Sequence, residues 1–90
     1  MSLWQLWVWQ QPNGDTFTLR VTTEGKFYLF WQDPNGELVQ VYLIEGKSVD
    51  QIVGKVVNLI GEPADAYRDR LEVFTAARLE AISGKQQRRS

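Results

Sequence analysis

The candidate catalytic and metal-binding side chains in this chain are mainly carboxylates. The sequence contains 11 Asp and Glu residues but no histidine and no cysteine. It therefore lacks the commonest general base, the commonest transition-metal ligand and any thiol nucleophile. Two carboxylate pairs have a spacing that could bring them together. Asp65 and Asp69 are one helical turn apart, and Asp15 and Glu37 each directly follow a Pro-Asn-Gly sequence.

Both carboxylate pairs have a simpler interpretation as surface residues. Asp65 and Asp69 alternate with Arg68 and Arg70, a pattern typical of a solvated helix face. The two carboxylates that follow the Pro-Asn-Gly turns are expected to close hairpins. We therefore predict that the protein is not an enzyme and needs neither a metal ion nor a cofactor.

Composition indicates one small domain. The chain has 90 residues, 43% of them hydrophobic and 12% aromatic, enough for a single dense core. We predict a domain over 1–84 and a mobile basic tail over 85–90, where three of six residues are Lys or Arg. The net charge is −1, so the domain itself is mildly acidic and extensive phosphate binding is not favoured. No apolar stretch approaches the ~20 residues of a membrane span and no signal peptide is recognisable, so we expect a cytoplasmic protein without membrane association.

A repeated phrase, Trp-Gln-x-Pro-Asn-Gly, occurs at 9–14 and again at 31–36. In each copy the Pro-Asn-Gly sequence suits a three-residue hairpin loop, with Gly in the left-handed conformation. Thr-Glu-Gly at 23–25 suits the same loop. These loops separate four runs rich in aromatic and β-branched residues, at 3–10, 16–23, 27–32 and 38–45. The pattern predicts a four-stranded antiparallel meander.

The hydrophobic period changes to that of a helix after Gly46. Ser48 and Gln51 form a capping-box pattern that begins one helix, and Gly61 ends it. We expect Gly54 within that helix to pack against a bulky aromatic residue of the sheet. A second helix is predicted from Pro63 to about Ile82, with its buried stripe formed by Tyr67, Leu71, Phe74, Ala77 or Arg78, and Ala81 or Ile82. The fold class is then α+β, ββββαα, with the helices packed on one sheet face.

Loop lengths fix the register of each hairpin and hence the residues on each sheet face. The predicted registers place Trp31 opposite Val39, and place Tyr28 between Arg20 and Tyr42. All three loops predict the same core face, in which Gln5 is the sole polar member. The other members of that face are Trp7, Trp9, Phe17, Leu19, Val21, Phe27, Leu29, Trp31, Val39, Val41 and Leu43.

The opposite face is also rich in apolar and aromatic residues, and the two predicted helices are too few to cover both faces. Exposed apolar patches usually mark a contact surface. We predict a non-enzymatic protein-interaction module, an adaptor, regulator or inhibitor, that uses this face for homodimerisation or for binding a protein partner. The predicted partner-binding residues are Trp4, Leu6, Arg20, Tyr28, Phe30, Tyr42 and Ile44.

Two alternatives remain open for this face. The second helix or the tail could cover part of it. Alternatively, its aromatic residues could stack on the bases of a single-stranded nucleic acid. The predicted order of sheet and helix is similar to that of Whirly and PUR-type single-strand-binding proteins, a likeness of topology alone. The scarcity of basic residues on the face favours the protein-interaction hypothesis.

Overall fold

The computed structural model describes residues 3–61 and 64–87. The four strands are β1 (Leu3–Gln10), β2 (Thr16–Thr22), β3 (Phe27–Gln32) and β4 (Leu38–Ile44), and they form one antiparallel sheet in the order β1-β2-β3-β4. The helices are α1 (Val49–Ile60) and α2 (Arg68–Gln87), with a 3₁₀ turn at Ala64–Tyr67 before α2. The predicted α+β meander followed by two helices is confirmed.

All three hairpin turns have the predicted conformation. Gly14, Gly25 and Gly36 have φ angles of 100°, 90° and 86°, in the left-handed region that glycine adopts without strain. In the first and third turns, the backbone N–H of Gly14 and Gly36 donates to the carbonyl oxygen three residues earlier, at 2.9 Å in each case. The repeated phrase therefore builds two equivalent hairpins.

A β-bulge in β1 alters one predicted face. The register of β1 with β2 is as predicted next to the turn but shifts by one residue at Leu6. Beyond this point Trp4, rather than Gln5, lies opposite Val21. Because side chains alternate along a strand, one extra residue reverses the faces of the remainder. Leu6 is 2% exposed and belongs to the core, and Gln5 points away from it.

A second β-bulge alters the faces of β4. The predicted pairing of Trp31 with Val39 is wrong, because Val39 is the extra residue of a bulge and Trp31 lies opposite Gln40. The rest of the strand is therefore turned over relative to the prediction. Val41 and Leu43, which were predicted to lie in the core, are exposed on the opposite face.

The core lies between one sheet face and the two helices, with α1 against β4 and α2 against β1. Of the predicted core face, Trp7, Trp9 and the inward residues of β2 and β3 keep their positions. The buried core residues are Leu6, Trp7, Phe17, Leu19, Val21, Leu29, Ile44, Ile52, Val56, Ile60, Ala64 and Ile82.

Ser48 is the N-cap of α1, as predicted, but the predicted capping box is not formed. The Ser48 side chain makes no capping hydrogen bond, and Gln51 Oε1 accepts the backbone N–H of Lys47, at 2.8 Å, in place of that of Ser48. Gly54 lies against Arg68 of α2, so the predicted contact with a sheet aromatic is wrong: a Cβ at Gly54 would be 2.9 Å from Arg68 Nη2. The absence of a side chain at Gly54 leaves room for the Arg68 guanidinium.

We expect Gly54→Ala to raise the free energy of unfolding by about 0.5–1 kcal/mol, since alanine is the better helix former. The new methyl group meets only the end of the Arg68 side chain, which is flexible and can move. Urea denaturation followed by circular dichroism measures the change. In an Arg68→Ala background, Gly54→Ala should raise the free energy of unfolding by the full difference in helix propensity, about 1 kcal/mol. Destabilisation in both backgrounds would contradict this account of the contact.

The predicted stripe of the second helix is partly confirmed, because Leu71 and Ile82 pack in the core. Phe74 is 51% exposed and Tyr67 is also exposed, whereas Thr75 is fully buried. Thr75 makes a buried hydrogen bond there: Trp7 Nε1–H donates to Thr75 Oγ1 at 2.9 Å. An indole N–H in the core needs an acceptor, and the threonine hydroxyl supplies it. The helix also continues beyond the predicted end at Ile82, as far as Gln87. The predicted mobile tail over 85–90 therefore begins within this helix, and its last three residues lie outside the described part of the chain.

Candidate functional site

The sheet face that turns away from the helices is the candidate site, and we call it the open face. Cross-strand pairing arranges its side chains in three rows, each crossing the sheet from β1 to β4. The row nearest the Pro-Asn-Gly turns is Gln10, Thr16, Gln32 and Leu38. The middle row is Val8, Thr18, Phe30 and Val41. The far row is Gln5, Arg20, Tyr28 and Leu43.

Exposed apolar side chains lie at both edges of the open face: Val8 on β1 is 49% exposed, and three more lie on β4. Leu38 and Leu43 are 56% and 52% exposed, and Val41 between them is 37% exposed. Phe30 and Tyr28, their neighbours on β3, are half-buried. An apolar area of this kind on a strand surface is a common feature of contact sites.

Arg20 is the single charged residue in the three rows. Its guanidinium carbon lies 4.6 Å from the centre of the Phe30 ring, within the range of a cation–π interaction. Thr18, the Phe30 neighbour in the middle row, is 3% exposed. Arg20 and Phe30 thus form a packed pair, and the donor groups of Arg20 can reach a partner placed on the face.

The structure places three of the seven predicted partner-binding residues on the open face: Arg20, Tyr28 and Phe30. Arg20 and Tyr28 are directly opposite each other, as predicted. The predicted pairing of Tyr28 with Tyr42 is wrong, since Leu43 lies opposite Tyr28.

The other four predicted residues lie on the core side. Leu6 and Ile44 are buried core residues, and Trp4 and Tyr42 are partly buried against the core. Their assignment to the open face is wrong, and the two bulges explain the error: each reverses the faces of one edge strand.

The residues that sequence reasoning missed are Val41 and Leu43, which were predicted to be buried. Strand β4 reads Leu-Val-Gln-Val-Tyr-Leu-Ile and has apolar residues at both its even-numbered and its odd-numbered positions. Its alternation therefore cannot show which face is buried. The position of a bulge in such a strand has no marker in the residues themselves.

The end of the sheet that carries the Pro-Asn-Gly turns is held together by polar contacts. Trp31 Nε1–H donates to Asp15 Oδ2 at 3.0 Å, and Asn13 Oδ1 accepts the Asp15 backbone N–H at 3.0 Å. A Cβ at Gly14 would lie 3.1 Å from Pro34, so the two turns touch. Asp15 is thus engaged in structural hydrogen bonds and anchors one hairpin to the other.

Over residues 3–61 and 64–83, no group of three or more acidic side chains is arranged to hold a metal ion. Neither α1 nor the described length of α2 is long and apolar enough to cross a membrane.

Comparison of the chain with protein-family models, with curated protein sequences and with solved structures finds no match. The fold and the open face define the class: a small α+β domain with two helices on one side of an antiparallel meander.

Proposed function

We propose that this protein is a non-enzymatic interaction module that binds a protein partner on the open face. The observation that supports the proposal most is the exposed apolar surface formed by Val41, Leu43 and Leu38 beside half-buried aromatic rings. Tyrosine and arginine are enriched at protein interfaces, and Tyr28 and Arg20 lie in the same row as Leu43. A partner that covers this surface removes apolar area from water, which is the main driving force of association.

The charge of the open face favours a protein over a nucleic acid. Binding of single strands relies on a groove with several basic residues, together with stacking on aromatic rings. The three rows supply one guanidinium, that of Arg20, which already packs on Phe30. Nucleic-acid binding is therefore the second outcome that the experiment must be able to detect.

The test begins with the partner. Wild-type protein carrying a photo-crosslinking amino acid at Val8 or at Leu43 is expressed in the native host, and the crosslinked species are identified by mass spectrometry. We expect both positions to give the same partner protein. A probe at Val73, which is 71% exposed on α2, is the matched control and should not capture it. Capture of that protein from Val73 alone would contradict the proposal.

We expect Tyr28→Ser combined with Leu43→Ser to weaken binding of the purified partner by at least about tenfold, since the two side chains are neighbours in the apolar surface. Val73→Ser removes a more exposed apolar side chain from the helical side and should leave the affinity unchanged. Isothermal titration calorimetry measures both. In parallel, retention of the wild type on single-stranded DNA is measured as the salt concentration falls. Salt-dependent retention that the double variant loses would favour the nucleic-acid function instead.

A further inference from the structure

The outer edge of β4 is an unpaired strand edge. Within the described residues, β3 is the single strand that pairs with β4, so the other side of β4 has unused backbone donors and acceptors. Proteins usually protect such an edge with charged residues, especially lysine, with proline or with a β-bulge. The seven residues of β4 include no charged residue and no proline, and the bulge at Val39 lies near one end. Four of the seven are among the exposed large apolar residues. The segment 40–44 therefore lacks the usual barriers to pairing with another strand.

The opposite edge of the sheet is different. Helix α2 lies against β1, and Arg78 Nε donates to the backbone carbonyl of Gln5 in that strand at 3.3 Å. A carbonyl of β1 is thus already bonded by a cation from the helix. At β4, the comparable contact comes just after the strand, where the Lys55 ammonium donates to the carbonyl of Glu45. The unprotected edge is therefore β4 itself, Leu38–Ile44.

We propose that β4 pairs in antiparallel fashion with β4 of a second copy of this chain, which joins the two sheets into one of eight strands. A second copy is the occupant that these features support, because it offers an equally uncharged strand. Antiparallel pairing of identical strands also gives a closed two-fold dimer. The inference concerns the strand edge and does not depend on the function proposed for the open face.

The bulge selects the register of this pairing. Val39 interrupts the regular ladder, so the bulge-free part of β4 runs over 40–44. A two-fold axis at its midpoint, Tyr42, pairs this whole segment with its copy. Val41 then lies opposite Leu43 of the second copy on the open face, and Gln40 lies opposite Ile44 on the helix side.

The charges nearest to β4 lie outside the paired segment. Glu37 precedes the bulge and Glu45 follows Ile44, so with the axis at Tyr42 the paired segment 40–44 contains no charged residue. No like charges are then placed directly opposite each other within it, an arrangement that would be destabilising.

The helix side has room for the second copy. A groove of about 590 Å³ runs between β4 and α1 and is lined by Tyr42, Ile44, Lys55, Asn58 and Leu59, among others. Leu59 is 44% exposed in the isolated chain. In the two-fold dimer, α1 of each copy flanks the shared strand pair, so Leu59 faces its counterpart across the groove. Because the axis is perpendicular to the sheet, both open faces lie on the same side and form one continuous surface.

The absence of cysteine makes a crosslinking test direct. We expect a mixture of Val41→Cys and Leu43→Cys proteins to form a disulfide-linked heterodimer under mild oxidation, since directly opposite residues have the Cα separation that a disulfide needs. The rate should exceed that of the collision control, Val8→Cys, by at least about tenfold because pairing raises the effective concentration. Val8 is exposed on the same face but on the other edge strand, and circular dichroism confirms that each variant is folded.

Each outcome of the crosslinking test has a distinct meaning. Faster crosslinking of Val41→Cys alone than of the mixture would overturn the register. A monomeric mass for the wild type at high micromolar concentration, measured by analytical ultracentrifugation, would overturn the dimer. Gln40→Lys places a charge on the helix side of the edge and leaves the open face intact, so we expect it to raise the dimer dissociation constant at least about tenfold. A monomeric variant that still binds the open-face partner would separate the two proposals.

Discussion

We expect Leu6→Ala to lower the free energy of unfolding by about 2–5 kcal/mol and Leu43→Ala to change it by less than about 0.5 kcal/mol. Leu6 is 2% exposed and packs in the core, so the truncation leaves a cavity that its neighbours fill only in part. Leu43 is 52% exposed, and its truncation removes few contacts. Urea denaturation of both variants, followed by tryptophan fluorescence and by circular dichroism, measures the difference.

This pair of substitutions is a direct test of the two bulges. The chemical change is the same in both variants, and a register without bulges reverses the expected order, with Leu43 in the core and Leu6 on the open face. A larger effect of Leu43→Ala would therefore show that the edge strands have the unbulged register. Leu29→Ala is the common reference, because Leu29 lies in β3 and is fully buried. This substitution should lower the free energy of unfolding by about 2–5 kcal/mol in either register.

The second large effect is expected at Thr75. Thr75→Val keeps the shape of the side chain but removes the acceptor of the Trp7 indole N–H, so a buried donor loses its partner. We expect the free energy of unfolding to fall by about 1–3 kcal/mol, the cost of leaving such a group unsatisfied. The measurement is again urea denaturation, here followed by circular dichroism, because Trp7 contributes to the fluorescence.

A double-mutant cycle separates the hydrogen bond from packing at this site. Trp7→Phe removes the donor, so in that background Thr75→Val should lower the free energy of unfolding by a smaller amount. The coupling energy between the two substitutions should be about 1 kcal/mol or more. Thr75→Ser keeps the hydroxyl and serves as the control, with a loss limited to one methyl group. A coupling energy near zero would show that the hydrogen bond does not determine the orientation of α2.

The inner strands show how far local pattern determines this fold. In β2, Phe17, Leu19 and Val21 alternate with Thr and Arg, so the alternation alone predicts which face lies in the core. The turns on either side fix their pairing through glycines that adopt positive φ. Strand pairing on both sides then leaves little freedom for an extra residue, and the β2–β3 register is fully as predicted.

The edge strands and α2 show where local pattern is insufficient. β1 and β4 pair on one side, so a bulge disturbs one ladder only and is tolerated. Both strands have apolar residues at even-numbered and at odd-numbered positions, so the pattern is compatible with burial of either face. In α2, a threonine is buried and Phe74 is exposed, an orientation that depends on an indole 68 positions away in the sequence.

Local turn geometry and the alternation of side chains are sufficient to predict the strands, the three turns, the order of elements and the register of the central hairpin. They do not predict which sides of β1 and β4 face the helices, and hence that Val41 and Leu43 belong to the open face in place of Tyr42 and Ile44. A one-residue bulge reverses every side chain beyond it, and its position depends on packing against elements distant in the chain.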